Sequence, residues 1–97
     1  EFVVLLRAPE RAAALGAFER CRALMEAAQF PQVGQVTASL GCTELRANDA
    51  ATAAFERADR AVYHAKQTGR NRVCCHEALV AEGVLAEAGR FGEIELF

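Results

Sequence analysis

The sequence is poor in several residues that usually build or interrupt a fold. Among its 97 residues there is no tryptophan, one tyrosine, one methionine and only two prolines. Because 53% of the residues are hydrophobic, a core must come from alanine, valine, leucine and phenylalanine. This length and composition predict one small globular domain at most.

Two kinds of surface are also missing. The formal net charge is −2, whereas proteins that coat nucleic acid or membranes usually carry a basic excess. No apolar run approaches the roughly 18 residues of a membrane helix. No basic leader precedes the apolar residues 3–6. We therefore expect a cytoplasmic protein that contacts neither nucleic acid nor membrane. The missing initiator methionine indicates a piece of a longer chain.

The four cysteines do not form a disulfide framework. They stand at positions 21, 42, 74 and 75, and the adjacent pair cannot easily bridge. We expect reduced thiols that serve as small hydrophobic side chains. The string CCHE at residues 74–77 is compatible with zinc, but a second pair of ligands in register is missing.

The hydrophobic pattern predicts alternating strands and helices. Residues 2–6 are apolar on both faces, which is typical of a strand buried on both sides. A helix with one apolar stripe follows from Pro9, an alternating strand covers residues 35–43, and a second helix runs to about Thr68. Residues 71–76 form a further short strand. Because each helix has a single apolar stripe, both should pack on one sheet.

The details of these elements can also be predicted. On the alternating strand, the predicted core face consists of Val36, Ala38, Leu40 and Cys42, and the opposite face is small and polar. Asn48 or Asp49 is a plausible N-cap for the second helix. Its inward face is expected to consist of Ala51, Phe55, Ala58, Val62 and Ala65. The tail is weakly helical, is interrupted by glycines, and ends in a predicted strand at residues 92–97.

A concentrated basic turn follows the second helix. Lys66, Arg70 and Arg72 flank Gly69. Cations in a last helical turn with glycine after it are a common helix stop. Lys66 and Arg70 can equally converge on one phosphate chain, with the guanidinium as a forked donor. The spacing permits both interpretations.

The stretch RADRAVYHAKQTGRNRV, residues 57–73, resembles the closing signature of the GGDEF family of diguanylate cyclases. Val62 replaces the leucine usual in that signature. Residues 36–41, VTASLG, resemble a strand of the same family, and residues 1–6, EFVVLL, resemble the end of its Gly-Gly-(Asp/Glu)-Glu-Phe motif and the strand after it. Arg7 and Cys42 depart from common family residues.

The resemblance implies an α/β (α+β) fold of the nucleotidyl-cyclase type, a ferredoxin-like sheet with helices packed on it, incomplete at the N-terminus. Residues 1–76 would be the C-terminal part of a GGDEF domain, and residues 77–97 a tail. The implied reaction condenses two GTP molecules to cyclic di-GMP and pyrophosphate, although this fragment alone should be inactive. The alternative is a degenerate, non-catalytic GGDEF module that binds nucleotide or a partner domain.

The resemblance also implies roles for individual residues. Lys66 and Arg70 match the family's phosphate-binding lysine and arginine. Glu1 matches the fourth motif letter, next to a metal ligand that would lie upstream. Arg20 matches an arginine that can contact cyclic di-GMP at an inhibitory site, although a solvated arginine is the simpler interpretation. The string Arg46–Asp49 spells Arg-x-x-Asp but stands in the wrong place for a product site.

The expected cofactor and partners follow from the same resemblance. Mg²⁺ would neutralise the phosphates, with its ligands upstream of residue 1 and none in this chain. GTP is the implied substrate and cyclic di-GMP the product. A second GGDEF domain would complete a homodimer, and an upstream sensor domain would control a bacterial signalling enzyme.

Overall fold

The computed structural model describes residues 3, 4 and 6–86. In this part of the chain the elements are α1 (Arg11–Ala27), β1 (Leu40–Cys42), α2 (Ala51–Gln67), β2 (Val73–Cys75) and α3 (His76–Ala81). The two strands pair in parallel, with Leu40 opposite Val73 and Cys42 opposite Cys75. Parallel neighbours need a crossover, which α2 supplies. The predicted mixed helix-and-sheet class is confirmed. No helix among the described residues is both long and apolar enough to cross a membrane.

The first predicted strand is wrong for the residues that can be described. Val3 and Val4 are 76% and 68% exposed, and neither they nor Leu6 lie in a strand. Phe2 and Leu5 lie outside the described residues. A strand buried on both sides needs a hydrogen-bonded neighbour and cover on each face. Within the described residues the sheet consists of β1 and β2.

The second predicted strand is shorter than expected. β1 begins only at Leu40, and Val36 is 38% exposed. Gly41, on the predicted small face, packs against α2. A Cβ built on Gly41 would lie 2.3 Å from the carbonyl oxygen of Ala58 and 2.4 Å from the backbone nitrogen of Val62. Only glycine allows the helix backbone to approach this closely.

The buried face of α2 differs from the predicted stripe. Its buried residues are Ala54, Arg57, Ala61 and Ala65. Phe55 is 45% exposed, so the prediction of an inward phenylalanine is wrong. The predicted inward Ala51 is also exposed. The helix is turned so that a charged side chain enters the core, which hydrophobic periodicity does not predict.

Arg57 is 4% exposed and joins α2 to the segment after β1. Its Nη1 and Nη2 atoms donate to the two carboxylate oxygens of Asp49, at 3.0 and 2.6 Å. Nε donates to the hydroxyl of Thr43 at 3.0 Å, and Nη2 also donates to the carbonyl oxygen of Glu44 at 2.9 Å. A planar guanidinium suits this bidentate arrangement.

Asp49 is not the N-cap of α2. The N-cap is Ala50, which makes no side-chain capping hydrogen bond. The carboxylate of Asp49 is engaged by Arg57, and its Oδ2 atom also accepts from the backbone nitrogen of Arg46 at 2.8 Å. Asn48 is not the cap either, and adopts a left-handed conformation with φ of +64°. The turn therefore serves the buried ion pair.

Asp49 should make the fold sensitive to acid. Hydrogen bonds from Arg57 hold the pKa of its carboxyl at about 2, below the ordinary value of 3.8. Because the folded pKa is depressed, the stabilisation is complete above about pH 4 and is lost as the pH falls towards 2. We expect thermal melting between pH 5 and pH 2 to show a smaller fall in Tm for Asp49→Asn than for the wild type. Equal falls would contradict this assignment.

Glu77 attaches α3 to the same region. Its Oε2 atom accepts from the hydroxyl of Thr43 at 2.6 Å and lies 3.5 Å from Nη2 of Arg46. The helix ends at Ala81, and Gly83 follows with φ of +77°. Both lie in the segment predicted as a weakly helical tail, whose second predicted interruption, Gly89, lies outside the described residues. The strand predicted at residues 92–97 lies outside the described residues.

Candidate functional site

The C-terminal end of α2 is closed by a left-handed turn. The backbone nitrogen of Thr68 donates to the carbonyl of His64 at 3.0 Å, and that of Arg70 donates to the carbonyl of Ala65 at 2.8 Å. Gly69 and Arg70 have φ values of +127° and +62°. These contacts satisfy carbonyls that a helix end would leave unpaired. The predicted helix stop is therefore correct for the backbone.

The cations of this basic turn, residues 66–72, have different surroundings. Lys66, in the last turn of α2, and Arg70, just beyond it, are both exposed. Within residues 3, 4 and 6–86, neither cationic group has an ion-pair partner. Arg72 instead donates from Nε to the carbonyl of Arg70 at 3.1 Å, and its guanidinium covers Gly69. All three cations are exposed, but Arg72 also makes hydrogen-bonded contact within the turn.

Asn71 connects the basic turn to α1 and to the residue before β1. Its backbone nitrogen donates to the hydroxyl of Ser39 at 3.2 Å. Its Oδ1 atom accepts from Nη1 of Arg22 at 2.8 Å, and its Nδ2 atom donates to Oε2 of Glu26 at 2.8 Å. Arg22 and Glu26 are both half-buried. Charged residues on a polar helix stripe gave no sequence signal for this contact.

The remaining candidate residues do not join the basic turn. Arg20 lies exposed on α1, with its Nη1 atom over Gly16. Glu1 lies outside the described residues. The predicted roles of both stay predictions.

The described part of the chain contains no group of three or more histidine, cysteine, aspartate and glutamate side chains that could hold a metal ion. All four cysteines are free thiols. Burial raises the pKa of the Cys42 thiol to about 12, which keeps it protonated at neutral pH.

The amino-acid sequence of the chain matches those of known proteins. The family model described as diguanylate cyclase, GGDEF domain, matches residues 1–72. Diguanylate cyclase DgcP of Pseudomonas aeruginosa is 45% identical over 76 residues, which cover 75% of this chain and 11% of DgcP. Diguanylate cyclase A of Treponema denticola is 38% identical over 77 residues, which cover 75% of this chain and 21% of that protein.

A solved structure has the same fold. The GGDEF domain of DgcB from Caulobacter crescentus, crystallised in complex with c-di-GMP, matches with a TM-score of 0.65 and 27% identity. The match covers 70% of this chain and 43% of that one. The chain belongs to the GGDEF family, and the predicted nucleotidyl-cyclase type of fold is confirmed. It spans less than a quarter of the length of the two curated relatives.

Proposed function

We propose that this chain is part of a diguanylate cyclase, in which Lys66 and Arg70 bind the phosphates of GTP. The observation that carries the proposal is the basic turn, whose three exposed cations, Lys66, Arg70 and Arg72, have no ion-pair partners among the described residues. Such a surface favours a polyanion. Residues 1–76 would form the C-terminal part of the GGDEF domain, and residues 77–97 a tail.

The proposed reaction joins two GTP molecules in two equivalent steps. In each step the 3′-hydroxyl of one GTP releases its proton to solvent and its oxygen bonds to the α-phosphorus of the other, while the bond from that phosphorus to pyrophosphate breaks. A second GGDEF domain supplies the second GTP, so the active unit is a dimer in the cytoplasm under an upstream sensor. The Lys66 ammonium and Arg70 guanidinium would counter negative charge on the phosphates. The family generally uses a divalent metal ion, which would neutralise charge on the phosphates when bound; the described residues contain no cluster of three or more metal-ligating side chains.

The activity of the isolated fragment and the role of Arg20 are also part of the proposed function. The 97 residues alone should not form cyclic di-GMP, because they cover only 43% of the solved GGDEF chain that they match. Arg20 is proposed to contact cyclic di-GMP in product inhibition, since it is exposed on α1 and free to meet a ligand.

A chimera tests the proposed activity. The 76 residues of DgcP that align with this chain are replaced by the corresponding residues of this chain. We expect the chimera to convert GTP to cyclic di-GMP in the presence of Mg²⁺. Lys66→Ala and Arg70→Ala in the chimera should each lower the rate by about 10²-fold. Gln67→Ala, an exposed neighbour in the same helical turn, is the matched control.

The outcome separates the enzyme from a binding module. A folded chimera that binds GTP but forms no product would overturn the cyclase proposal and favour the non-catalytic module. Product formation that survives both substitutions would show that the basic turn is not the phosphate site.

A further inference from the structure

We propose that Asn71 is a positioning residue, which together with Arg22 and Glu26 of α1 fixes the backbone of the basic turn and thereby the place of the Arg70 guanidinium. The inference rests on the proposed function, because it concerns the residue assigned there to phosphate binding. Neither the hydrophobic pattern nor the resemblance explains why Asn71, Arg22 and Glu26 are hydrogen-bonded to one another.

The backbone of the turn needs an external hold. Gly69, Arg70 and Asn71 all have positive φ values, of +127°, +62° and +50°. Glycine adopts this region freely, whereas a residue with a Cβ enters it at an energetic cost. One hold on Arg70 is the hydrogen bond from its nitrogen to the carbonyl of Ala65. On its other side, the carbonyl of Arg70 accepts from Nε of Arg72, and the backbone nitrogen of Asn71 donates to the hydroxyl of Ser39. A further hold comes from a side chain.

The side chain of Asn71 provides that hold through a closed ring of hydrogen bonds. Nη1 of Arg22 donates both to Oδ1 of Asn71, at 2.8 Å, and to Oε1 of Glu26, at 3.0 Å. Nδ2 of Asn71 donates to Oε2 of Glu26 at 2.8 Å. An asparagine is suited to the position because it tolerates the left-handed conformation and offers both a donor and an acceptor.

Electrostatics supports the ring. Hydrogen bonds from Asn71 and then from Arg22 hold the pKa of the Glu26 carboxyl below its ordinary value. Arg22 is also held by Glu19, whose carboxylate accepts from Nε at 3.0 Å. A carboxylate at position 71 would lose the donor and face Glu26 with like charge, so it should open the ring.

The two phosphate-binding candidates depend differently on this ring. Lys66 lies within α2, whose own backbone hydrogen bonds fix its place. Arg70 lies beyond the helix, and within the described residues no ion pair holds its guanidinium. Its place is therefore set by the backbone of the turn. Loss of the Asn71 side chain should reduce the contribution of Arg70 and leave that of Lys66 unchanged.

The experiment combines a donor–acceptor exchange with two readouts. In this chain, Asn71→Gly removes the ring but still permits positive φ, and Asn71→Asp opens the ring with little change in shape. The double variant Asn71→Asp/Glu26→Gln restores the hydrogen bonds with donor and acceptor reversed. The first readout is the ³J(HN–Hα) coupling and amide shift of Arg70 by NMR. The second is the Kd for inorganic triphosphate.

We expect Asn71→Asp to alter the Arg70 coupling and to raise the Kd about 10-fold, and the double variant to return within about 2-fold of the wild type. Asn71→Gly combined with Arg70→Ala should be no weaker than Arg70→Ala alone, whereas its effect should add to that of Lys66→Ala. Arg22→Ala is a further variant that opens the ring. Thermal melting of each variant shows whether it remains folded.

Either of two results would overturn the inference. The first is an Arg70 coupling that is unchanged in both single Asn71 variants and in Arg22→Ala. The second is an effect of Asn71→Gly on the Kd that adds equally to the effects of Lys66→Ala and Arg70→Ala. If the wild-type chain does not bind triphosphate, the proposed phosphate site is wrong. In that case the NMR readout and its rescue by the double variant still decide whether Asn71 fixes the turn.

Discussion

Arg70→Ala is expected to weaken the binding of GTP to this chain by about 10- to 100-fold, and Lys66→Ala by about 10-fold. A hydrogen bond to a charged group contributes roughly 1.5–3 kcal/mol, and about 1.4 kcal/mol corresponds to tenfold in affinity. Arg70 should matter more because a guanidinium can bind two phosphate oxygens at once. Isothermal titration calorimetry with GTP measures both effects.

A charge-matched control separates a local site from general attraction. Arg60→Gln removes one positive charge, as Lys66→Ala and Arg70→Ala do. The Arg60 guanidinium lies on α2 and donates to the carbonyl of Ala86. We expect this variant to bind GTP within about 2-fold of the wild type. Arg70→Lys should retain part of the affinity, because a point charge replaces the fork. Equal losses in Arg60→Gln and Arg70→Ala would show that only net charge matters.

Arg57→Met is expected to lower the free energy of unfolding by about 3 kcal/mol, since removing one partner of a buried ion pair leaves the other uncompensated. Arg57 is 4% exposed, and Asp49, Thr43 and Glu44 all accept hydrogen bonds from it. For a domain of this size the loss corresponds to a fall in Tm of more than about 10 °C. Urea denaturation monitored by circular dichroism gives the free energy directly.

The control for this prediction is an ion pair on the surface. Arg11 and Glu44 pair with side chains that are 46% and 50% exposed, and Arg11→Met should destabilise the fold much less than Arg57→Met. Arg57 lies nine residues before Lys66, about 13 Å along the helix. Folded Arg57→Met should therefore retain GTP binding. If it unfolds at the same urea concentration as Arg11→Met, the buried pair does not stabilise the fold.

Much of the architecture could be predicted from local sequence. The period of apolar residues predicts α1 and α2, and α2 ends where Gly69 permits a left-handed turn. The signature at residues 57–73 identifies the family, because its residues are specific in kind and spacing. These features follow from interactions between residues close in the chain.

The predictions that are wrong concern contacts between residues that are distant in sequence. Residues 2–6 have the composition of a buried strand, but whether Val3 and Val4 are covered depends on neighbours that periodicity does not specify. Arg57 lies outside the apolar stripe that the sequence predicts for α2, so the pattern assigns it to the solvent side. Its burial depends on Asp49, which a local interpretation assigns to a helix cap.

The sequence by itself determined the family, the two long helices and the candidate phosphate residues Lys66 and Arg70, because motif spacing and helix ends are local properties. Only the tertiary structure decided that Arg72 donates to the carbonyl of Arg70, and that Arg22 and Glu26 hold Asn71 across 49 and 45 residues of chain. A hydrogen bond between such distant residues depends on how α1 and the turn pack together. No periodic pattern records that distance.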